Sequence, residues 1–177
     1  MGKKNKKFLL VSVLCGLVLC GCASREKEQC KKQVTEFLTA YQAQDITCGK
    51  YLSGNNQDET VKFEGFQSVL AEPIKFEVKS AEVNNDYNMV NVVITNVDFG
   101  TVFEGLVNSD DVQMDITENI TAELEKRLQA EDAPMREFEI VVKLDKEQKI
   151  KMTGELSNAL LGGYTQYIYE LTEGGAQ

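Results

Sequence analysis

Apolar positions recur along the chain with two different periods, which predict helices and strands in alternating blocks. Within residues 26–45 they recur every three or four residues, as on one face of a helix, at Val34, Phe37, Leu38 and Tyr41. Shorter helical patterns follow at residues 46–53 and 61–70, and Pro73 ends this region. The first part of the chain is therefore predicted to be helical.

After Pro73 the period changes to two. Phe76 and Val78 alternate with charged residues, and Ala81 and Val83 continue one residue out of step, which predicts a β-bulge. Residues 89–97 are rich in β-branched side chains, and the polar residues 84–86 between the two segments indicate a turn. Together the two segments predict a β-hairpin.

The same succession of helix and hairpin then repeats. Residues 99–107 and 116–128 predict two helices, and a second hairpin follows, with its strands at 138–144 and 150–152 and its turn at 145–148. Two helical pieces, broken at Gly162-Gly163, end the pattern. This order predicts an α+β domain in which a curved antiparallel sheet packs against N-terminal and central helices.

The first 21 residues differ from the rest in composition. Four lysines precede an apolar run at residues 8–19. A helix of that length rises only about 18 Å, whereas the hydrocarbon core of a bilayer is about 30 Å thick. The segment therefore predicts a secretory signal rather than a membrane-spanning helix.

The sequence Leu19-Cys20-Gly21-Cys22 resembles the bacterial lipobox, in which a small residue precedes the cysteine that receives the lipid. The resemblance implies cleavage after Gly21 and lipidation of Cys22. An ordinary signal peptide is the alternative. We therefore expect a signal peptide at residues 1–21, a short tether at 22–29 and a single domain at 30–173.

Charge narrows the class of partner. The chain has a net charge of −9. Four lysines precede Gly21, whereas all 28 acidic residues follow it, so the net charge from Cys22 onward is about −13. Such acidity argues against nucleic-acid binding and would be repelled by anionic lipid headgroups. The chain also contains no histidine, the commonest general base and metal ligand.

Cys30 and Cys48 are the cysteines of the predicted domain. They are separated by 18 positions, or about 27 Å of straight helix, whereas a disulfide needs Cα atoms within about 7 Å. We expect two buried thiols, with a disulfide as the alternative.

Acidic side chains are the other candidates for chemistry. The cluster Asp110, Asp111, Asp115 and Glu118 could bind Ca²⁺, but its spacing fails the calcium-loop pattern and favours capping of a helix. Asp98 is placed either to start a helix, which we favour, or to line the mouth of a pocket.

Two further patterns have simple structural interpretations. Tyr164, Tyr167 and Tyr169 form the densest aromatic group, and the spacing of the first two favours packing over ligand binding. Residues 119–121 match the glycosylation acceptor pattern, which we discount because Ile120 lies on the predicted apolar stripe.

Three strings, at residues 91–99 (NVVITNVDF), 140–152 (IVVKLDKEQKIKM) and 156–163 (LSNALLGG), carry a resemblance to a known group. The chain is similar in pattern to small lipoproteins of Gram-positive bacteria with a nuclear-transport-factor-2-like, or cystatin-like, domain. The resemblance implies a cone in which helices sit in a curved sheet, with an apolar cup that serves as a pocket or docking surface.

These patterns lead to one functional hypothesis and two alternatives. We expect a lipoprotein on the extracytoplasmic face of the cell membrane that acts as a non-catalytic binding module, with no cofactor and no metal. Its partner would be an envelope protein, a peptide or a small ligand. The alternatives are an enzyme that uses carboxylates in the cup and a structural lipoprotein that self-associates.

Overall fold

The computed structural model describes the backbone at residues 5–54, 60–84, 87–108 and 118–173, and the side chains at residues 24–54, 60–84, 87–108 and 120–173. In chain order its elements are α1 (Asn5–Gln42), a 3-10 helix (Ile46–Tyr51), α2 (Phe66–Ala71), β1 (Lys75–Val83), β2 (Asn88–Val97), α3 (Phe99–Val107), α4 (Glu118–Leu128), β3 (Met135–Leu144), α5 (Gly154–Leu160) and α6 (Tyr164–Glu173).

The three strands form one antiparallel sheet in the order β1-β2-β3. The register of β1 against β2 shifts between Val78 and Ser80, which confirms the predicted bulge. Because of this shift, Ala81 and Val83 share a face of the sheet with Phe76 and Val78. The α+β class is also confirmed, with an open sheet of three strands in the part of the chain that the structure describes.

Helix α1 packs on this face of the sheet. Its predicted stripe is buried and forms a first core with the inward side chains of all three strands and of α5. This core includes Val34, Phe37, Leu38, Tyr41, Ala81, Val90, Val92, Ile94, Phe138, Val142, Leu144, Leu156 and Leu160. The opposite face carries charged and half-exposed side chains, as expected of an antiparallel sheet with one solvated side.

A second core lies between α2, α3 and α4. It contains Leu70, Phe99, Leu106, Leu124 and Leu128, all buried. Half-buried aromatic rings extend it towards α6, with Phe99 and Tyr164 edge to face at 4.8 Å between centroids.

The predicted helix at residues 61–70 is wrong in its first half. Only Phe66–Ala71 is helical, and the helix starts after Gly65, whose φ is +54°. Val61 instead donates its N–H to the carbonyl of Ile46 at 2.8 Å. Val61 and Phe63 pack against the first core from a segment that forms neither helix nor strand. In so short a run, apolar spacing does not distinguish an irregular segment from a helix.

The predicted second hairpin is reduced to a single bridge between Leu144 and Ile150. Ile150 also bridges Leu52 in parallel, because its N–H donates to the carbonyl of Tyr51 and its carbonyl accepts from Ser53 N–H, both at 2.8 Å. Three residues later Thr153 caps α5 through a bond from Leu156 N–H. Helix α5 therefore begins before residues 150–152 can form a strand.

A buried amide joins the end of β2 to the end of α5. The side chain of Asn96 is 0% exposed, and its Nδ2 donates to the carbonyls of Leu160 at 2.9 Å and Ala159 at 3.4 Å. Its Oδ1 accepts the N–H of Val97 at 2.8 Å. These bonds satisfy both ends of the amide, which would otherwise be costly to bury.

The loop after α5 continues this contact. The N–H of Phe99 donates to the carbonyl of Gly162 at 3.0 Å, and Gly162 has a φ of +58°. A Cβ at Gly162 would overlap the carbonyl oxygen of Val97, so only glycine fits. The strings 91–99 and 156–163 are thus in direct contact.

We expect Asn96→Ala to lower the free energy of unfolding by about 2–3 kcal/mol, since it leaves buried partners without a hydrogen bond. Chemical denaturation of the full-length variant measures this loss. Asn91→Ala is the matched control, because Asn91 lies on the same strand, but its amide donates to Ser80 Oγ at an exposed site. Equal losses for the two variants would contradict the importance of the Asn96 amide.

Candidate functional site

A cavity of about 280 Å³ lies at one end of the first core. Its walls come from α1, the 3-10 helix, the irregular segment before α2, α2 itself and α5. The residues that line it are Phe37, Tyr41, Cys48, Leu52, Val61, Gln67, Met152, Ser157, Leu160 and Leu161. The sequence patterns predicted most of these side chains as core but not the space between them.

Local structure explains how the first wall forms. Phe37 and Tyr41 are one helical turn apart on α1, so both side chains point to the same side. After α1 the chain turns at Gln44, whose φ is +52°. The Asp45 carboxylate then caps the 3-10 helix by accepting the N–H of Thr47 at 2.9 Å. This turn places Cys48 beside the end of α1.

Reciprocal hydrogen bonds hold α2 against the end of α1. Gln44 Nε2 donates to the carbonyl of Ser68 at 3.0 Å, and Ser68 Oγ donates to Gln44 Oε1 at 2.7 Å. As a result the neighbouring Gln67 reaches the cavity, where its Nε2 donates to the hydroxyl of Tyr41 at 3.4 Å. Tyr41 is only 3% exposed, and its ring meets Phe63 edge to face at 5.1 Å between centroids.

The polar groups of the cavity are neutral. Burial raises the pKa of Tyr41 and outweighs the hydrogen bond from Gln67, so the phenol stays protonated at neutral pH. Burial also raises the pKa of the Cys48 thiol, to about 11. A thiol with this pKa is a poor nucleophile at neutral pH and packs as a small apolar group.

Cys30 is also buried and free, in agreement with the prediction of two buried thiols. Burial, together with the nearby charge of Glu26, raises the pKa of its thiol. Cys30 belongs to the first core but does not line the cavity.

The mouth of the cavity is apolar. Met152 lines the cavity and is 45% exposed. Ile46 is 54% exposed and adjoins Val61, another lining residue, through the backbone bond of 2.8 Å. Among the described residues that line the cavity none is charged. The described lining is therefore mostly apolar, with the Tyr41–Gln67 hydrogen bond among its polar groups.

A second depression of about 560 Å³ lies at the end of the sheet, between α2 and the loop that follows α4. It is larger, but its polar side chains Glu72, Lys75 and Glu131 are exposed to solvent. The smaller cavity is the better candidate because it combines apolar walls with a partly buried hydrogen bond between Tyr41 and Gln67.

Asp98 has the helix-start role that we favoured. It is the N-cap of α3, where its Oδ1 accepts the N–H of Thr101 at 3.3 Å and its Oδ2 accepts Thr101 Oγ1–H at 3.0 Å. It does not line the cavity.

The acidic cluster is not brought to a site that the structure describes. Asp110, Asp111 and Asp115 lie outside the described residues, and Glu118 is the first residue of α4, with a side chain that is not described. Over the described residues no group of three or more Asp, Glu, Cys or His side chains could hold a metal ion.

The three tyrosines of α6 differ in their surroundings. Tyr164 and Tyr167 pack against Phe99, and Tyr167 also packs against Phe103 at 5.7 Å between centroids, which confirms the packing interpretation. Tyr169 is exposed and donates its hydroxyl hydrogen to Glu173 at 2.7 Å, a bond that raises its pKa.

Two sequence motifs have a defined place in the backbone. In the possible glycosylation motif, Ile120 packs against the second core and Thr121 is exposed, whereas the side chain of Asn119 is not described. Cys22 lies within α1, which also includes the predicted tether at residues 22–29. Lipidation of Cys22 stays a prediction.

Comparison of the chain with protein-family models, with curated proteins and with solved structures found no match. Over the residues that the structure describes, none of the helices has both the length and the apolar content that crossing a bilayer requires.

The wall that carries Leu52 depends on Asp145. Ser53 Oγ donates to Asp145 Oδ2 at 2.6 Å, and the N–H groups of Glu147 and Lys149 donate to Asp145 Oδ1 at 2.9 Å each. Partial burial raises the pKa of this carboxyl, but the hydrogen bonds together outweigh it and hold the pKa below its ordinary value of 3.8.

A folded-state pKa below the unfolded value means that the ionised carboxylate stabilises the fold above pH 3.8, and that this contribution is lost as the pH falls further. We therefore expect Asp145→Asn to reduce the loss of stability between pH 5 and pH 2, as measured by denaturation at a series of pH values. Asp132→Asn, at an exposed loop carboxylate, is the control. An unchanged pH profile in Asp145→Asn would contradict this assignment.

Proposed function

We propose that the chain is a lipoprotein, anchored through Cys22 to the extracytoplasmic face of the cell membrane, whose domain at residues 30–173 binds a ligand without catalysing a reaction. The observation that carries the binding role is the cavity beside Tyr41 and Gln67, with its apolar mouth at Met152. Concave, mostly apolar sites with a few convergent polar groups are typical of ligand binding.

The chemistry of the lining favours binding over the carboxylate-dependent enzyme. The described lining includes no acidic side chain, and the Tyr41 and Cys48 pKa values are raised, so neither group is a base or nucleophile at neutral pH. Asp98, the carboxylate considered for a cup mouth, caps α3 instead.

The proposed location rests on the N-terminal sequence and on charge. The lysines and apolar run before Cys22 have the pattern of a lipoprotein signal, and each buried methylene of an acyl chain contributes about 0.8 kcal/mol to anchoring. The acidic domain would be repelled by anionic headgroups, which favours a cavity that faces away from the bilayer.

The proposed fold relationship is to the cystatin-like cone. Its support is α1 packed on one face of an antiparallel sheet, a bulge in β1 that bends the edge strand, and the contact between the strings 91–99 and 156–163.

Self-association is a second candidate, favoured by exposed apolar side chains on α6. Ile168, Tyr169 and Leu171 are 38%, 60% and 53% exposed. Patches of this kind mark interaction surfaces in some proteins, although single exposed apolar residues are common.

Cys22→Ser should abolish incorporation of labelled palmitate and remove the processed chain from the membrane fraction, because the thiol is the proposed site of attachment. Metabolic labelling followed by cell fractionation measures both. Cys20→Ser is the matched control, two residues away, and should keep its label. Full labelling of Cys22→Ser would refute the anchor while leaving the cavity untested by this experiment.

We expect the full-length chain in detergent to be monomeric by light scattering, because binding through the cavity needs no second copy. Leu171→Glu should leave its mass unchanged. A dimer that Leu171→Glu dissociates would favour the structural role through α6 instead.

A further inference from the structure

The structure leads us to propose a ligand class for the cavity, an inference that rests on the proposed binding role. We infer that it takes a neutral, mostly apolar molecule of about ten to fifteen non-hydrogen atoms with one oxygen acceptor that meets the Tyr41 hydroxyl. The size follows from the volume of about 280 Å³. An engineered apolar cavity of about 150 Å³ binds benzene, so this space holds roughly two fused rings or an equivalent chain.

The neutrality of the ligand follows from the lining. Among the described lining residues, Tyr41, Cys48, Gln67 and Ser157 supply the polar side chains and none is charged. A carboxylate or ammonium group inside would lose its hydration without gaining an ion-pair partner, which is far more costly than burying a neutral group. Charged molecules are therefore rejected by desolvation rather than by shape.

The oxygen acceptor follows from the hydrogen bond between Gln67 and the buried Tyr41. The Tyr41 hydroxyl accepts a hydrogen bond from Gln67 Nε2 and retains its own proton to donate. Because Tyr41 is 3% exposed, bulk water does not surround this group. A ligand hydroxyl or carbonyl oxygen placed there accepts that proton, and the rest of the molecule contacts Phe37, Leu160 and Leu161.

The apolar mouth fits the same class. Met152 is exposed although it lines the cavity, and its flexible side chain can move to admit a flat or extended molecule. An apolar rim also favours capture of a molecule that leaves water readily.

The probes for the test are 1-naphthol, 1-naphthoate and naphthalene, which share two fused rings and differ in charge and in the presence of oxygen. The chain has no tryptophan, so naphthalene-type fluorescence is followed with little protein background. Each probe is titrated into the full-length chain in detergent. The same titration of Ser157→Phe, whose new ring occupies the cavity, gives the background signal from probe that partitions into micelles. Glu155→Phe adds the same ring at an exposed position of α5 and should bind like the wild type.

We expect saturable binding of 1-naphthol, at least tenfold weaker binding of 1-naphthoate, and no saturable signal in Ser157→Phe. Tyr41→Phe should weaken the binding of 1-naphthol by roughly threefold to tenfold, the effect of one hydrogen bond, and leave the binding of naphthalene unchanged. This comparison does not depend on the folding of Ser157→Phe.

Other outcomes overturn the inference in distinguishable ways. If 1-naphthoate binds more tightly than 1-naphthol and Ser157→Phe abolishes this binding, the neutral ligand class is refuted, whereas the proposed binding function is supported. Equal binding of 1-naphthol to wild type and to folded Ser157→Phe would refute the site. If no probe binds, the ligand class is wrong. In that case, solvent extraction of the membrane-purified chain tests the module, since a co-purifying molecule absent from Ser157→Phe would keep the proposed function.

Discussion

The arrangement of the domain depends on one buried amide. Asn96 lies at the end of the central strand, and its side chain binds the last carbonyls of α5, which lies more than sixty residues later in the chain. A desolvated amide tolerates little misalignment, because each unpaired donor or acceptor costs about 1–3 kcal/mol. The position of α5 against the sheet is thereby set, and with it the wall of the cavity that carries Ser157, Leu160 and Leu161.

The same contact joins the two hydrophobic cores. Val97 and Phe99, on either side of the β2–α3 corner, belong to the second core, whereas Ile94, just before Asn96, belongs to the first. Gly162 closes the corner by accepting from Phe99 N–H, and its close approach to Val97 excludes any side chain. The helices around both cores are therefore positioned by one short stretch of backbone, which links the aromatic packing around α6 to the cavity beside α1.

Polar contacts fix the positions of the segments that surround the cavity. The Gln44–Ser68 pair holds α2 at the end of α1, and Asp145 fixes the segment around Ser53. Within this frame Tyr41, Gln67 and Cys48 stay neutral, since burial raises the pKa values of both Tyr41 and Cys48. A site of this chemistry favours neutral ligands, because the described part of its lining holds no charged side chain that could pair with a buried charge.

Local patterns in the sequence determined the α+β class, the bulge in β1, the capping role of Asp98 and the buried thiols, because each depends on residues close together in the chain. They failed at residues 61–63 and 150–152, where short apolar runs are compatible with several backbone conformations. Only the tertiary structure decided the partners of Asn96, the meeting of Tyr41 with Gln67 and the space between α1 and α5. These features are set by contacts between distant segments, and a pattern that marks a side chain as apolar does not say whether the volume beside it is filled.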